Sequence, residues 1–184
     1  GVNVVPEIHQ VKQQIESFTN AVVDGDKKGV TIGIPREILS SEHRVSLVPH
    51  SIRTLIGYGH RVIVETEAGE ESSFSDIDYS EAGAEIASSP HQVFKSNIVL
   101  KVAPPSLEEI DMMDQDSILI SSMQIPSMTK EFLEKLRKKR VTALAMEYLQ
   151  SEDGSFPIVR IMSEIAGMVA MLTASEYLTN TSKG

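Results

Sequence analysis

There is no cysteine among the 184 residues, which removes disulfides, thiolate metal sites and cysteine nucleophiles together. That absence suits a reducing compartment. Positive charge is also short: 17 Lys plus Arg stand against 26 Asp plus Glu, a formal net charge of −9. Binding along a phosphate backbone needs a basic surface, so a general nucleic-acid role is not expected. No apolar run approaches the ~20 residues of a membrane span, and no leader pattern opens the chain. It begins on Gly1 and not Met, which predicts a processed or engineered product. Nucleotide and hydrolase signatures are missing too. There is no G-x-G-x-x-G, no G-x-x-x-x-G-K-[ST], no G-x-S-x-G and no H-E-x-x-H. The closest glycine pair, Gly57 and Gly59, precedes a strand-like run and opens no helix. His9, His43, His50, His60 and His91 share no metal-ligand spacing, so no metal site is expected.

What remains is ordinary globular composition, 41% hydrophobic and 23% charged. Residues 1–28 carry Val5, Ile8, Val11, Ile15, Phe18 and Val22 at spacings of three or four. They predict an amphipathic helical extension, packed on the main body or offered to a partner, before a break at Asp24-Gly25-Asp26. From residue 29 the pattern alternates. Strand-like runs lie at 30–34, 61–65, 97–102, 117–121 and 141–146. Helical spacing falls at 51–58, 76–82, 106–113 and 127–139, capped by Ser75, Ser106 and Ser127, with a long helix at 162–178. This order predicts an α/β fold: a doubly wound, mostly parallel sheet with helices on both faces, Rossmann- or flavodoxin-like, ending in a long helix. In that last helix Ala166, Ala170 and Ala174 with Gly167 make a small-residue stripe. The helix either leads to a second domain or partner, or folds back on the sheet.

Ligands dock at the carboxyl edge of such a sheet. Arg44, ten residues beyond the first strand, Lys101 within a β-type run, and Gln124 just past the 117–122 run all fall near that edge. A guanidinium and an ammonium converging there suit a carboxylate or keto acid. The alternative pairs Arg44 with Glu42 or Glu37 and lets Lys101 reach solvent. The basic run Lys135 to Arg140 falls at a helix C-terminus, where cations oppose the helix dipole.

Several stretches, in order, resemble the N-terminal region of the alanine dehydrogenase and pyridine nucleotide transhydrogenase family. They include Gly33-Ile34-Pro35-Arg36-Glu37, Glu42-His43-Arg44-Val45, Gly59-His60-Arg61-Val62 and Glu67-Ala68-Gly69. Phe74-Ser75-Asp76, Ala82-Gly83-Ala84-Glu85-Ile86, Leu100-Lys101-Val102, Ala145-Met146-Glu147 and Met162-Ser163-Glu164-Ile165-Ala166-Gly167 continue the series. The resemblance runs from about residue 30 to 184, leaving residues 1–28 outside.

It implies that residues 29–184 are the first segment of a discontinuous catalytic domain, with the NAD-binding Rossmann domain absent from this chain. The full-length enzyme would then be a cytoplasmic oxidoreductase and homo-oligomer that interconverts L-alanine and pyruvate with NAD, while this segment alone would be inactive. By resemblance Arg44 holds the substrate carboxylate, Lys101 binds pyruvate and polarises its carbonyl, and Ser163 lies near the cofactor. The dehydrogenases place a catalytic histidine where this chain has Gln124. A neutral amide cannot serve as a general acid or base near pH 7. It suits hydride transfer between two nicotinamides, so the NAD-side alpha subunit of a transhydrogenase is the second expectation. A non-catalytic ligand-binding or regulatory relative is the third. Glu147-Tyr148 with Asp153-Gly154-Ser155-Phe156-Pro157 sides with the dehydrogenases.

Overall fold

Short runs of β-branched residues and leucine build the sheet. In the computed structural model, which describes residues 30–146, they form β1 (Thr31–Ile34), β2 (Arg61–Glu65), β3 (Glu85–Ala87), β4 (Ile98–Leu100), β5 (Ile118–Ser121) and β6 (Thr142–Ala145). Every pairing among them is parallel, in the order β3-β2-β1-β4-β5-β6. All three β4 residues are buried, as expected of a strand covered on both faces. The doubly wound architecture is thus present. The extension at 1–28 and the long helix at 162–178 lie outside the described residues.

The helices between the strands are α1 (Pro49–Gly57), α2 (Asp76–Glu81), α3 (Pro90–Phe94), α4 (Leu107–Met112) and α5 (Lys130–Lys138). Right-handed crossovers put α1 and α2 on one face and α3, α4 and α5 on the other. The contacts agree: α1 meets α2, while α4 meets both α3 and α5. On the second face Phe94, Val99, Ile110, Met113, Leu119, Met123, Phe132 and Leu136 share one buried cluster. Gly33 in β1 permits the close approach of α3. A Cβ there would run into the Val93 carbonyl oxygen and lie 2.6 Å from Ser96 Oγ.

Local chemistry fixes most helix starts. Ser75 and Asp78 form a full capping box on α2, and Ser106 and Glu109 form another on α4. Three expectations need correction. The α5 cap is Thr129, whose side chain accepts from the Phe132 amide, and Ser127 instead closes a 3-10 turn over Ile125–Ser127. That turn begins on Pro126-containing sequence, which delays the helix by two residues. β3 and α3 were not expected, being only three and five residues long. The run expected at 97–102 is strand only over Ile98–Leu100, which leaves Lys101 at its carboxyl end.

Candidate functional site

The strand order reverses between β1 and β4, so the chain leaves these neighbours in opposite directions. The carboxyl edge of the sheet at that reversal is where doubly wound folds hold ligands. Two loops meet there, the long one after β1 (35–48) and the one from Lys101 to Ser106 after β4.

The first loop is tied down along its length. The Arg36 amide donates to Glu65 Oε2 at 2.8 Å, and its guanidinium pairs with Glu67. His43 pairs with Glu71, and Ser72 Oγ donates to the His43 carbonyl at 2.9 Å. Ser46 Oγ donates to the Leu100 carbonyl at 3.0 Å, at the end of β4. The buried Tyr79 hydroxyl donates to the Leu47 carbonyl at 2.8 Å, and burial pushes the phenol up to about 12.

At the centre lies Lys101. Its side chain is 1% exposed, and its Nζ donates to Glu37 Oε2 at 2.6 Å. Glu109 Oε1 stands 3.6 Å away on the other side. Glu37 spends its second oxygen on the Val102 amide at 2.6 Å, and Glu109 spends its second on the Ser106 amide at 2.8 Å. Burial raises the Glu109 carboxyl above its ordinary range, with the Lys101 charge opposing and the Glu37 charge adding to the rise. A lysine embedded at a strand end therefore finds anions and does not snorkel to water. The resemblance makes Lys101 a substrate ligand; in this arrangement its ammonium faces two buried carboxylates.

Arg44 sits on the same loop, with its side chain 76% exposed. Its Nε donates to Glu42 Oε1 at 2.8 Å and its second guanidinium nitrogen to Glu42 Oε2 at 2.9 Å. That fork holds the arginine's pKa above, and the Glu42 pKa below, their ordinary values. The Glu37 charge also reaches the guanidinium, which places Arg44 in the same electrostatic neighbourhood as the Lys101 pair. Thus Arg44 pairs with Glu42, as the sequence alternative had it, but Lys101 does not reach solvent.

Gln124 is exposed at the carboxyl end of β5, in a left-handed conformation at φ +45°. Its carbonyl accepts from the Ser127 amide at 2.7 Å, opening the 3-10 turn. Ser163 lies outside the described residues. Sequence reasoning missed Glu37 and Glu109 as partners of Lys101. Glu109 was legible as a capping acid, and that cap pins its carboxyl beside the β4 end.

Three cations of the basic run are spent on neighbours. Lys135 pairs with Asp111 at 2.5 Å, Lys139 donates to the Asp111 and Met113 carbonyls, and Arg140 pairs with Asp116 at 2.6 Å. The turn after β1 offers no cradle for a dinucleotide pyrophosphate. Such a turn needs glycine amides facing the phosphates, whereas here Pro35, Arg36 and Glu37 fill it, and Pro35 has no N–H. Among the described residues no helix is long and apolar enough to cross a membrane.

Residues 33–166 match the family model described as "Alanine dehydrogenase/PNT, N-terminal domain". Alanine dehydrogenase 2 of Staphylococcus aureus (strain USA300) is 37% identical over 153 residues, covering 83% of this chain and 41% of that protein. A solved L-alanine dehydrogenase superposes with a TM-score of 0.63 at 36% identity, over 72% of this chain and 36% of that one. A transhydrogenase from Sinorhizobium meliloti superposes with a TM-score of 0.60 at 29% identity, over 66% of this chain and 36% of that one. The chain therefore spans less than half the length of the curated relatives it matches.

Proposed function

The chain belongs to the alanine dehydrogenase/PNT N-terminal domain family, and from that premise we propose that it is the substrate-side part of an NAD-dependent alanine dehydrogenase. The whole enzyme interconverts L-alanine, NAD+ and water with pyruvate, ammonium, NADH and a proton. Arg44 carries the reading: an exposed guanidinium on the loop leaving the sheet at its switch point, ready to exchange Glu42 for a substrate carboxylate. The guanidinium stays paired through the exchange, while Glu42 keeps its bond from the Arg44 amide. NAD is bound mainly by a part of the protein outside this domain, and Ser163 is a cofactor-binding residue of this segment. This segment alone turns nothing over. The enzyme works in the cytoplasm as a homo-oligomer.

Gln124 favours a second reading. An amide at the end of β5 is neither a general acid nor a general base near neutral pH, which suits the NAD-side subunit of a transhydrogenase, where hydride passes between nucleotides without proton relay. A non-catalytic relative that keeps ligand affinity is the third. NAD reduction by the full-length protein with L-alanine, scanned across pH, separates them. Alanine-dependent NADH formation with a basic-limb titration is the expected result. No activity at any pH, with nucleotide-to-nucleotide transfer intact, turns the assignment to the transhydrogenase; neither activity leaves the regulatory relative.

A further inference from the structure

We propose that Glu109 is the proton store behind Lys101, returning to the ammonium the proton that Lys101 gives to the pyruvate carbonyl, so that the two together take the place of an imidazole at residue 124. This rests on the alanine dehydrogenase reading, with the Lys101 ammonium on the keto oxygen. Gln124, at the end of the strand beside β4, is no acid near neutral pH. The side chains of Lys101, Glu37 and Glu109 are only 1%, 6% and 5% exposed. With all three ionised the cluster carries one net negative charge and almost no water to solvate it. One proton removes that charge. The bonds place it on Glu109. The Glu37 carboxylate accepts from Lys101 Nζ and from the Val102 amide, both at 2.6 Å, which holds it ionised. Glu109 accepts from the Ser106 amide at 2.8 Å and stands 3.6 Å from Nζ, so it is the less stabilised anion. Burial accordingly raises its carboxyl above the ordinary range. Among the described residues the charges acting on it are Lys101 at the β4 end and Glu37 on the loop after β1, with Arg44 coupled to Glu37 from the same loop.

An ammonium has three N–H donors. Glu37 takes one and Glu109 faces a second, which leaves the third for a substrate oxygen. As ammonia adds to pyruvate, the N–C bond forms and the C=O π pair moves onto oxygen, which takes that third proton from Nζ. The Glu109 carboxyl passes its proton to the amine left behind, so Lys101 is an ammonium again and Glu109 a carboxylate. The added nitrogen releases its surplus proton to solvent, and one proton from solvent restores Glu109, so charge balances. At 3.6 Å the contact between Glu109 and Lys101 is longer than a hydrogen bond, and such contacts tighten when substrate binds.

The test uses the full-length protein with E109Q and the double variant E109Q/Q124H. Glutamine keeps an acceptor for the Ser106 amide and is no acid. Histidine tolerates the left-handed backbone at residue 124. E109Q should lower kcat for pyruvate reduction by about 100-fold, the scale of a lost proton donor, and change the pyruvate KM far less. In the wild type that kcat falls as pH rises through the Glu109 value, because the carboxyl must hold its proton; in E109Q this limb is gone. The infrared difference between substrate-free wild type and E109Q should show a protonated carboxyl at mildly acidic pH, where exposed carboxyls are ionised. The double variant should regain about 10-fold or more of the lost kcat, since an imidazole supplies the proton directly. E109Q with the wild-type kcat and limb, or a double variant as slow as E109Q, overturns the proposal. Should E109Q not fold, E109D keeps a capping acid, as Asp78 does on α2, and draws the carboxyl away from Nζ; an unmoved limb in E109D overturns the proposal equally. A wild type that neither oxidises alanine nor reduces pyruvate ends the alanine dehydrogenase reading and the relay with it, whereas an active wild type beside an unimpaired E109Q ends the relay alone.

Discussion

Arg44 and Lys101 are both cations near one sheet edge, yet burial gives them opposite chemistry. The Arg44 guanidinium is 76% exposed and its Glu42 partner 13%, so the fork contributes to folding at the upper end of the roughly 0–1 kcal/mol of surface pairs. R44A should therefore lower the melting temperature only slightly and lower kcat/KM for pyruvate by roughly 30-fold or more, the loss of a charge-assisted contact. R44K keeps the charge and loses the fork, so it should fall between. A melting shift as large as the kinetic loss in R44A would assign the arginine to folding. Glu109 makes a pH-dependent contribution of defined sign. Its folded pKa is raised, mainly by burial, so the folded state holds a proton that the unfolded chain has released. The term it contributes is complete below the unfolded carboxyl pKa, and stability is lost as pH rises through the folded value. E109Q keeps an acceptor for the Ser106 amide, because glutamine also serves in a capping box. Urea unfolding of E109Q across mildly acidic to neutral pH should show this downward slope flattened, with the cap intact. His60 runs the other way: burial lowers its pKa, so stability falls as pH drops below the unfolded histidine value.

At the scale of elements, starts are local and lengths are not. Ser75 and Ser106 accept from amides three residues on, and their own amides donate back to the Asp78 and Glu109 carboxylates, a pattern visible three residues apart in the chain. The start of α5 was misplaced because Ser127 and Thr129 both fit a cap, and Pro126 between Ile125 and Ser127 chose the 3-10 turn for the first. T129A should cost about 1 kcal/mol, the usual loss on removing an N-cap oxygen, and S127A only a few tenths, as read by chemical denaturation. Equal losses would mean that the helix extends back to a Ser127 cap in solution. α3 had a usable signal in Ser89-Pro90, since proline at the first helical position after a serine marks a start. β3 had none. Three residues, two of them exposed, carry too little alternation to stand out, and pairing with β2 is what makes Glu85–Ala87 a strand.

Across the molecule, the order β3-β2-β1-β4-β5-β6 brings the turns after β1 and β4 to one place, separated in sequence by more than sixty residues. The turn after β1, where a dinucleotide-binding fold keeps its glycines, is occupied here by Pro35, Arg36 and Glu37. The polypeptide of residues 1–184 should accordingly bind NAD far more weakly than the full-length protein, with no heat signal in micromolar calorimetric titration. Micromolar affinity would show that this domain holds the dinucleotide without a glycine turn. The parallel alternation, the capping boxes and the fall of Arg44, Lys101 and Gln124 near the carboxyl edge were all legible in residue order, because periodicity, caps and breakers act within a few residues. The partners of those side chains were not. Lys101 was readable as a cation needing an anion, but Glu37 lies 64 residues away and Glu109 across an intervening loop, so which acid meets it depended on how β1, β4 and α4 pack. Ion pairing acts through space at a few ångströms, and packing alone sets those distances.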